Sequence, residues 1–291
     1  WIDALFNYIT ALNLAEEQTD LEKYWPANYH VVGKEILWFH AVIWPSVLMA
    51  LELPLPQCVY AHSFWISEGR KMSKSLGNFI DLEAIEKYID LYSMDAWRYY
   101  LVTQGPLGAT DADFTAEKFH EVYNTHLVNT VGNCASRITA MIEKYFEGVV
   151  PPDNGQVFAE TDWKTICSGA VECSLQSMES FSLQEAVESA MSIVRQIDLF
   201  INTTAPFKLA KDETKQAELG TILYQCIEAL RIASILLHPV IPVKIDELHH
   251  AIGVEMQSGN STSALAWGGT KAGTTIQKIA LFPRVDFAST E

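Results

Sequence analysis

The sequence predicts an α/β half-sheet followed by an all-α bundle. Three observations carry that expectation. Residues 29–66 read as strand, glycine turn, apolar helix and strand, which is α/β grammar. Strand patterns stop after a lysine-rich loop near residue 75. From about Thr115 onward the apolar residues recur at three- and four-residue steps, with a long proline-free stretch at the start.

The chain opens on "WIDALFNYITAL", with neither an initiator methionine nor a polar leader, so it reads as part of a longer chain. His30 to Val32 form a short β run, Gly33 a turn, and "KEILWFHAVIWPSVLMALEL" a long apolar helix bent at Pro45, expected to be buried. That run is broken by His40, Pro45 and Ser46, and no run approaches the length needed to cross a bilayer. "QCVYAHSFWI", Gln57 to Ile66, alternates as a second strand. After the loop, "DLEAIEKYI" and "SMDAWRYYLVTQ" are short amphipathic helices, the second capped by Ser93. Thr115 to Phe146 is one rod, about 45 Å long at the rise of an α-helix. "GVVPPDNG" ends it. Helices at about Thr161–Phe181, Ser182–Thr203 and Glu213–Leu237 follow, the second opened by a Ser182–Glu185 capping box. A short helix in "HPVIPVKIDELHHAIG", a polar loop in "QSGNSTSALAWGGTKAGTT" and an extended "IQKIALFPRV" close the chain.

With 291 residues, 49% of them hydrophobic, the chain has material for more than one core and reads as a soluble globular protein. Its formal charge of −16 is the wrong sign for a general nucleic-acid binder, so any RNA contact must use local basic patches. Cys58, Cys134, Cys167, Cys173 and Cys226 include no C-x-x-C pair and suit reduced thiols, with neither a disulfide frame nor a zinc knuckle. A cytoplasmic location follows as the expectation, an organellar one remaining open because the true N-terminus is expected elsewhere.

"SEGRKMSKSLGNFID", Ser67 to Asp81, sets Lys71 and Lys74 three residues apart among hydroxyls and between Gly69 and Gly77. Two flexible ammonium groups on a hinged loop suit a triphosphate, and would meet the charge that grows on phosphorus during nucleotidyl transfer. By itself the loop reads equally as a basic surface loop. Its "KMSKS", however, is the signature of class I aminoacyl-tRNA synthetases. "WIDAL" with Tyr8, "GKEILWFHAVIWP" and "NCASR" extend the resemblance to the methionyl-tRNA synthetases, from Trp1 to "LFPRV".

The resemblance implies a Rossmann-like catalytic half over residues 1–80, a connecting helical module over 81–114, an anticodon-binding bundle over 115–243, and a tail over 244–291 that packs back toward the core. It implies that Lys74 is the main stabiliser of the adenylation transition state, assisted by Lys71, with Met72, Ser73 and Ser75 completing the ATP-gripping loop. By the same resemblance Gly33 lies against the nucleotide, Glu35 takes the ribose hydroxyls, His62 contacts ATP through its side chain and Trp65 through its backbone. Glu35 departs from the aspartate frequent in the family. Trp1, Ala4, Tyr8, Ile36 and His40 are implied to line the methionine side-chain pocket. A thioether offers little to hydrogen-bond, so aromatic and aliphatic walls with one or two donors suit it. Taken singly, Ala4 and Ile36 read as core residues and His40 as a core histidine.

Asn129, Asn133 and Arg137 repeat at four-residue steps along the rod. Without the family, such a stripe is the solvated face of a helix. In the methionyl-tRNA synthetases it reads a CAU anticodon, through amide and guanidinium groups on unstacked bases. Pro206 and Phe207 are placed where the family stacks a tryptophan on the anticodon; Phe207 keeps the stacking face and lacks the indole donor. A core aromatic is the other reading of Phe207.

The H-I-G-H signature and the zinc-bearing insertion of the family are absent from the sequence. The expectation is therefore a methionine-tRNA ligase fragment with no zinc site, using ATP, Mg²⁺, methionine and methionine tRNA, partnered by the N-terminal half of the same enzyme and not by a membrane. Another class I synthetase, or a non-catalytic tRNA-binding derivative, is the alternative.

Overall fold

The computed structural model describes residues 1–13, 20–67, 69–155, 158, 161–255 and 262–287, with only the backbone at Leu21, Glu22, Lys74 and Thr262. Part of the expected polar loop thus lies outside the described residues. The chain divides into two compact units, Trp1–Phe79 with Gly105–Phe114, and Ile80–Gln104 with Thr115–Glu291.

In the first unit, α1 (Ile2–Leu5), α2 (Asn7–Thr10) and α3 (Leu21–Tyr24) are single turns, and β1 (Tyr29–Gly33) follows. β1 alternates, with His30 and Val32 buried and Tyr29 and Val31 exposed. A 3-10 turn at Lys34–Ile36 and a π-helical stretch at Phe39–Ile43 lead into α4 (Trp44–Ala50). Pro45 is the second residue of α4, which follows the π-helical stretch without a break. The helix was expected to be buried. It buries one face only: His40, Trp44 and Leu48, at four-residue steps, are inside, while Trp38 is 64% and Met49 67% exposed. Leu5, Ile9, Trp25, Trp44 and Leu48 form the core of this unit.

β2 (Cys58–His62) runs parallel to β1, with Tyr29 opposite Cys58 and Gly33 opposite His62. Contrary to the expectation that strands end with the lysine loop, a second sheet spans it. β3 (Trp65–Ser67) pairs antiparallel with β4 (Arg70–Lys71) and parallel with β5 (Ala112–Phe114). β5 escapes a sequence reading because three residues are too few to show alternation, and its partner lies far back in the chain.

The second unit is helical apart from one isolated bridge, Val149 to Thr275, among the described residues. α5 (Leu82–Tyr92) is capped by Asp81, which accepts from the Ala84 N–H at 2.9 Å. α6 (Met94–Gln104) is capped by Ser93, whose Oγ accepts from the Ala96 N–H at 3.2 Å, as the sequence predicts. The expected rod is continuous from α7 (Ala116–Val122) through a ten-residue π-helical stretch, Tyr123–Gly132, to α8 (Asn133–Phe146). α9 (Trp163–Glu179), α10 (Leu183–Thr204), the single turn α11 (Pro206–Leu209), α12 (Gln216–Leu237) and α13 (Pro242–Ile252) complete the bundle. The capping box at Ser182 does not form. Ser182 makes no side-chain cap bond; its hydroxyl instead meets Ser180 Oγ at 3.3 Å.

α12 is the central helix. The segment Glu213–Leu237 is long and apolar enough to cross a membrane, which corrects the expectation that no run is; 89% of its most apolar window is buried inside the protein, where it serves as core. Glu228 on this helix is fully buried. Its carboxylate accepts from Arg231 Nε and Nη2 and from the backbone N–H groups of Gly268, Gly269 and Thr270, at 2.7 to 3.0 Å. Arg231 in turn donates to the carbonyls of Ala264 and Ala266. Burial, the largest single influence, pushes the Glu228 pKa up, but the bonds and charge of Arg231 together with the Thr270 and Gly269 bonds leave the group below the usual range. α6 is tied to α13 and to the turn before it: Asp95 Oδ2 accepts from the Lys244 N–H at 2.7 Å, and Arg98 donates to the carbonyls of Pro239 and Val240. The closing segment returns along the rod, where Tyr123 donates to the Pro283 carbonyl at 2.7 Å.

Candidate functional site

The parallel register sets Gly33 and His62 side by side at the carboxyl ends of β1 and β2, the place where open α/β sheets bind ligands. The Glu35 carboxylate folds over Gly33: a Cβ built on that glycine would lie 2.4 Å from Glu35 Oε2. His62 shares a 2.8 Å hydrogen bond between its Nδ1 and the Ser63 carbonyl. Lys34, beside Gly33, donates to Asp111 Oδ1 at 2.6 Å, and the same oxygen accepts from the Phe64 N–H at 3.0 Å. The Lys34 bond and the Phe64 N–H hold the Asp111 carboxyl below its ordinary pKa. Trp65 stands edge-on to Phe114, with centroids 6.3 Å apart, in the sheet that begins the lysine loop.

The loop leaves β3, reverses through Gly69 (φ +70°) into β4, makes a 3-10 turn at Lys74–Leu76, and exits at Gly77 (φ +68°). Both glycines occupy the left-handed region that favours them. Lys71 and Ser75 are exposed; Met72 and Ser73 are partly covered. The hydroxyls of Ser73 and Ser75 are 2.7 Å apart. The Lys74 side chain lies outside the described residues.

Tyr8, His40 and Ile36 meet directly. Tyr8 Oη is 2.9 Å from His40 Nε2, and His40 Nδ1 is 3.0 Å from the Ile36 carbonyl oxygen. A histidine that donates from Nδ1 to that carbonyl accepts at Nε2 from the tyrosine hydroxyl, so the two bonds fix one tautomer together. Trp1, 59% exposed, stacks on Phe39 at 4.3 Å, and Ala4 lies exposed on the turn between Trp1 and Tyr8. Two residues beyond the sequence reading belong here. Phe39 backs Trp1. His30 packs 4.5 Å from Tyr8 and accepts from Trp44 Nε1 at 3.2 Å, and burial followed by nearby His40 lowers its pKa. His30 was legible in principle, since alternation puts it on the same inward face as Val32.

On the bundle, Asn129 and Asn133 are exposed and Arg137 is half-buried. Asn129 belongs to the π-helical stretch and Asn133 is the first residue of α8. Arg137 is held from α10, donating through Nη1 to Asp198 at 2.8 Å and through Nη2 to Asn202 at 3.0 Å. Burial raises the Asp198 pKa and the Arg137 charge opposes that rise. Asn129 Oδ1 receives Arg284 Nη2 at 3.4 Å. Pro206 is buried, whereas Phe207 is 47% exposed and so is not a core aromatic. The left-handed turn at Ala205 separates α11 from α10 and sets Phe207 apart from the core. Asp198, Asn202 and Arg284 are absent from the sequence reading.

A half-sheet with an open corner, a glycine-hinged lysine loop and a trailing helical bundle make up the architecture of a fragment of a class I aminoacyl-tRNA synthetase fold. Residues 1–139 match the family model described as "tRNA synthetases class I (M)". Over nearly its whole length the chain is similar to methionine–tRNA ligases: it is 40% identical over 288 residues to that of Caldanaerobacter subterraneus subsp. tengcongensis and 39% identical over 290 to that of Bacillus subtilis. Each alignment covers 98% of this chain but only 44% and 43% of the relative, so the chain spans less than half of their length. Among solved structures, it superposes on the Mycobacterium tuberculosis methionyl-tRNA synthetase in complex with methionyl-adenylate with TM-score 0.88 at 31% identity, covering 98% of this chain and 55% of that one.

Proposed function

We propose that this chain supplies the second half of the catalytic fold and the anticodon-reading bundle of a methionine–tRNA ligase, working with an N-terminal half that carries the H-I-G-H residues. The observation that carries the reading is the corner where Gly33 and His62 sit side by side, Glu35 arches over Gly33, and β3 leads into the lysine loop. ATP binds there in this reading, with its ribose on Glu35 and its adenine beside Trp65. Methionine enters against Trp1, Ala4, Tyr8, Ile36 and His40, where Tyr8 and His40 supply the polar atoms near sulfur. Its carboxylate oxygen attacks the α-phosphorus, the bond to the bridging oxygen breaks, and pyrophosphate leaves with the electron pair. Lys74 and Lys71 meet the charge that develops on the phosphoryl oxygens. The methionyl group then passes to the 3′ end of a methionine tRNA, whose CAU anticodon meets Asn129, Asn133, Arg137 and Phe207.

Magnesium is the implied counter-ion. Among the described residues no group of three or more His, Cys, Asp or Glu side chains gathers, and Mg²⁺ on a nucleotide is held mainly by the phosphates. The apolar residues left exposed on the first unit, Val31, Trp38 and Met49 among them, suit the surface that the N-terminal half would cover.

The test is methionine-dependent exchange between ATP and pyrophosphate in the full-length protein. Lys74→Ala is expected to slow it by about 10²–10³-fold with methionine affinity nearly kept. Exchange at the unsubstituted rate removes Lys74 from the role.

A further inference from the structure

We propose that Asn78 is a positioning residue of this reaction, stapling the lysine loop through its side-chain amide; the inference rests on the loop's proposed role in gripping ATP. Asn78 follows the second hinge. Its Nδ2 donates to the Ser67 carbonyl at 3.3 Å and to the Lys71 carbonyl at 3.4 Å, and its Oδ1 accepts from the Ser73 N–H at 2.9 Å. One side chain thus ties the last residue of β3, the last residue of β4 and the turn beyond them. All three partners are main-chain groups, so Asn78 reads the shape of the loop and not its side chains.

Among the described residues, the β3–β4 pairing and a few further bonds complete that shape. A Cβ at Gly69 or at Gly77 would meet no heavy atom within 4 Å, so both hinges are sterically open. Asp113 Oδ2 accepts from the Gly69 N–H at 3.0 Å, which holds the entry, and Ser73 Oγ accepts from the Leu76 N–H at 3.3 Å, which holds the inner turn. Among the described residues, Asn78 is the side chain that joins the two. The position needs donor and acceptor on one short side chain. Aspartate has the same shape, but would turn an oxygen toward two carbonyls. Misplacing the two lysines costs rate even where ATP still binds, because an ammonium group stabilises developing charge only when aimed at it beforehand.

Asn78→Ala and Asn78→Asp are made in the full-length protein and read in two ways. In exchange assays both are expected to lower kcat by about 10–100-fold, with KM for methionine within about twofold of the parent and an unchanged melting temperature. In brief trypsin digests, cleavage after Arg70, Lys71 or Lys74 is expected to rise at least about threefold. Unchanged cleavage overturns the staple. Faster cleavage with unchanged kcat overturns the positioning role. Absence of methionine-dependent exchange in the unsubstituted protein overturns the functional reading and the positioning role with it, and the digest tells that failure apart from a failure of the staple.

Discussion

Gly33→Ala separates folding from nucleotide binding. Gly33 has φ −68° and ψ 146°, an extended conformation open to any residue, so alanine introduces no backbone strain. The new methyl would lie 2.4 Å from Glu35 Oε2, 2.8 Å from Oε1 and 2.9 Å from Cδ. All three atoms are the far end of one exposed, flexible side chain, which can swing away. The melting temperature is therefore expected to fall by less than about 2 °C, the equivalent of under about 1 kcal/mol. ATP is affected differently. The displaced carboxylate would give up its proposed hydrogen bonds to the ribose, worth about 1.5–3 kcal/mol for a charged acceptor. At about 1.4 kcal/mol per tenfold, kcat/KM for ATP drops by roughly 10–150-fold. KM for methionine should stay within about twofold, since the proposed methionine wall is built from other residues. Exchange assays with each substrate varied in turn measure both. An unchanged kcat/KM for ATP, or a melting temperature lowered by more than about 5 °C, would refute the reasoning.

Two further predictions concern the bundle. Glu228→Gln leaves Arg231 buried opposite a neutral amide and is expected to cost about 3–5 kcal/mol, lowering the melting temperature by roughly 6–20 °C in a circular-dichroism melt; a drop under about 2 °C would sink the idea that this carboxylate anchors residues 264–270. His249, paired with Ser234 at 2.8 Å, has its pKa pushed down to about 4 by burial and by His238, below the ordinary 6.5. Its neutral form is the one that folds, so its contribution of up to roughly 3 kcal/mol is full above pH 6.5 and is lost as the pH falls from there toward 4. The stability difference between the parent and His249→Gln should narrow across that window, and a difference constant from pH 7.5 to 4.5 would contradict it.

The lysine loop was legible because its chemistry is local: two lysines, two serines and two glycines declare a hinge and a charge within a few residues. The braces of the loop were not. Asn78 looks like one more loop residue until the Ser67 and Lys71 carbonyls are seen around it, and Asp111 and Asp113 reach Phe64 and Gly69 from more than forty residues away. The methionine wall came from the family resemblance, since Tyr8 and His40 stand thirty-two residues apart. Asp198 and Asn202 are four apart on α10 and thus share a face, but nothing in their own segment says that the face meets Arg137. The π-helical stretch did leave a trace. It is faint: the buried residues Tyr123, Leu127 and Val131 advance by four each time, the wider of the two steps that an α-helix also gives.

That stretch places spare length inside an otherwise regular rod. Each of its hydrogen bonds encloses one residue more than an α-helical bond does. Loss of a single residue between Tyr123 and Gly132 can therefore be absorbed by tightening the ladder to the α step. The same loss within Asn133–Phe146 would turn every later side chain by about 100° and bring Ile142 out of the core. Within the rod, tolerance to shortening is thus expected at the ten positions that also carry Asn129.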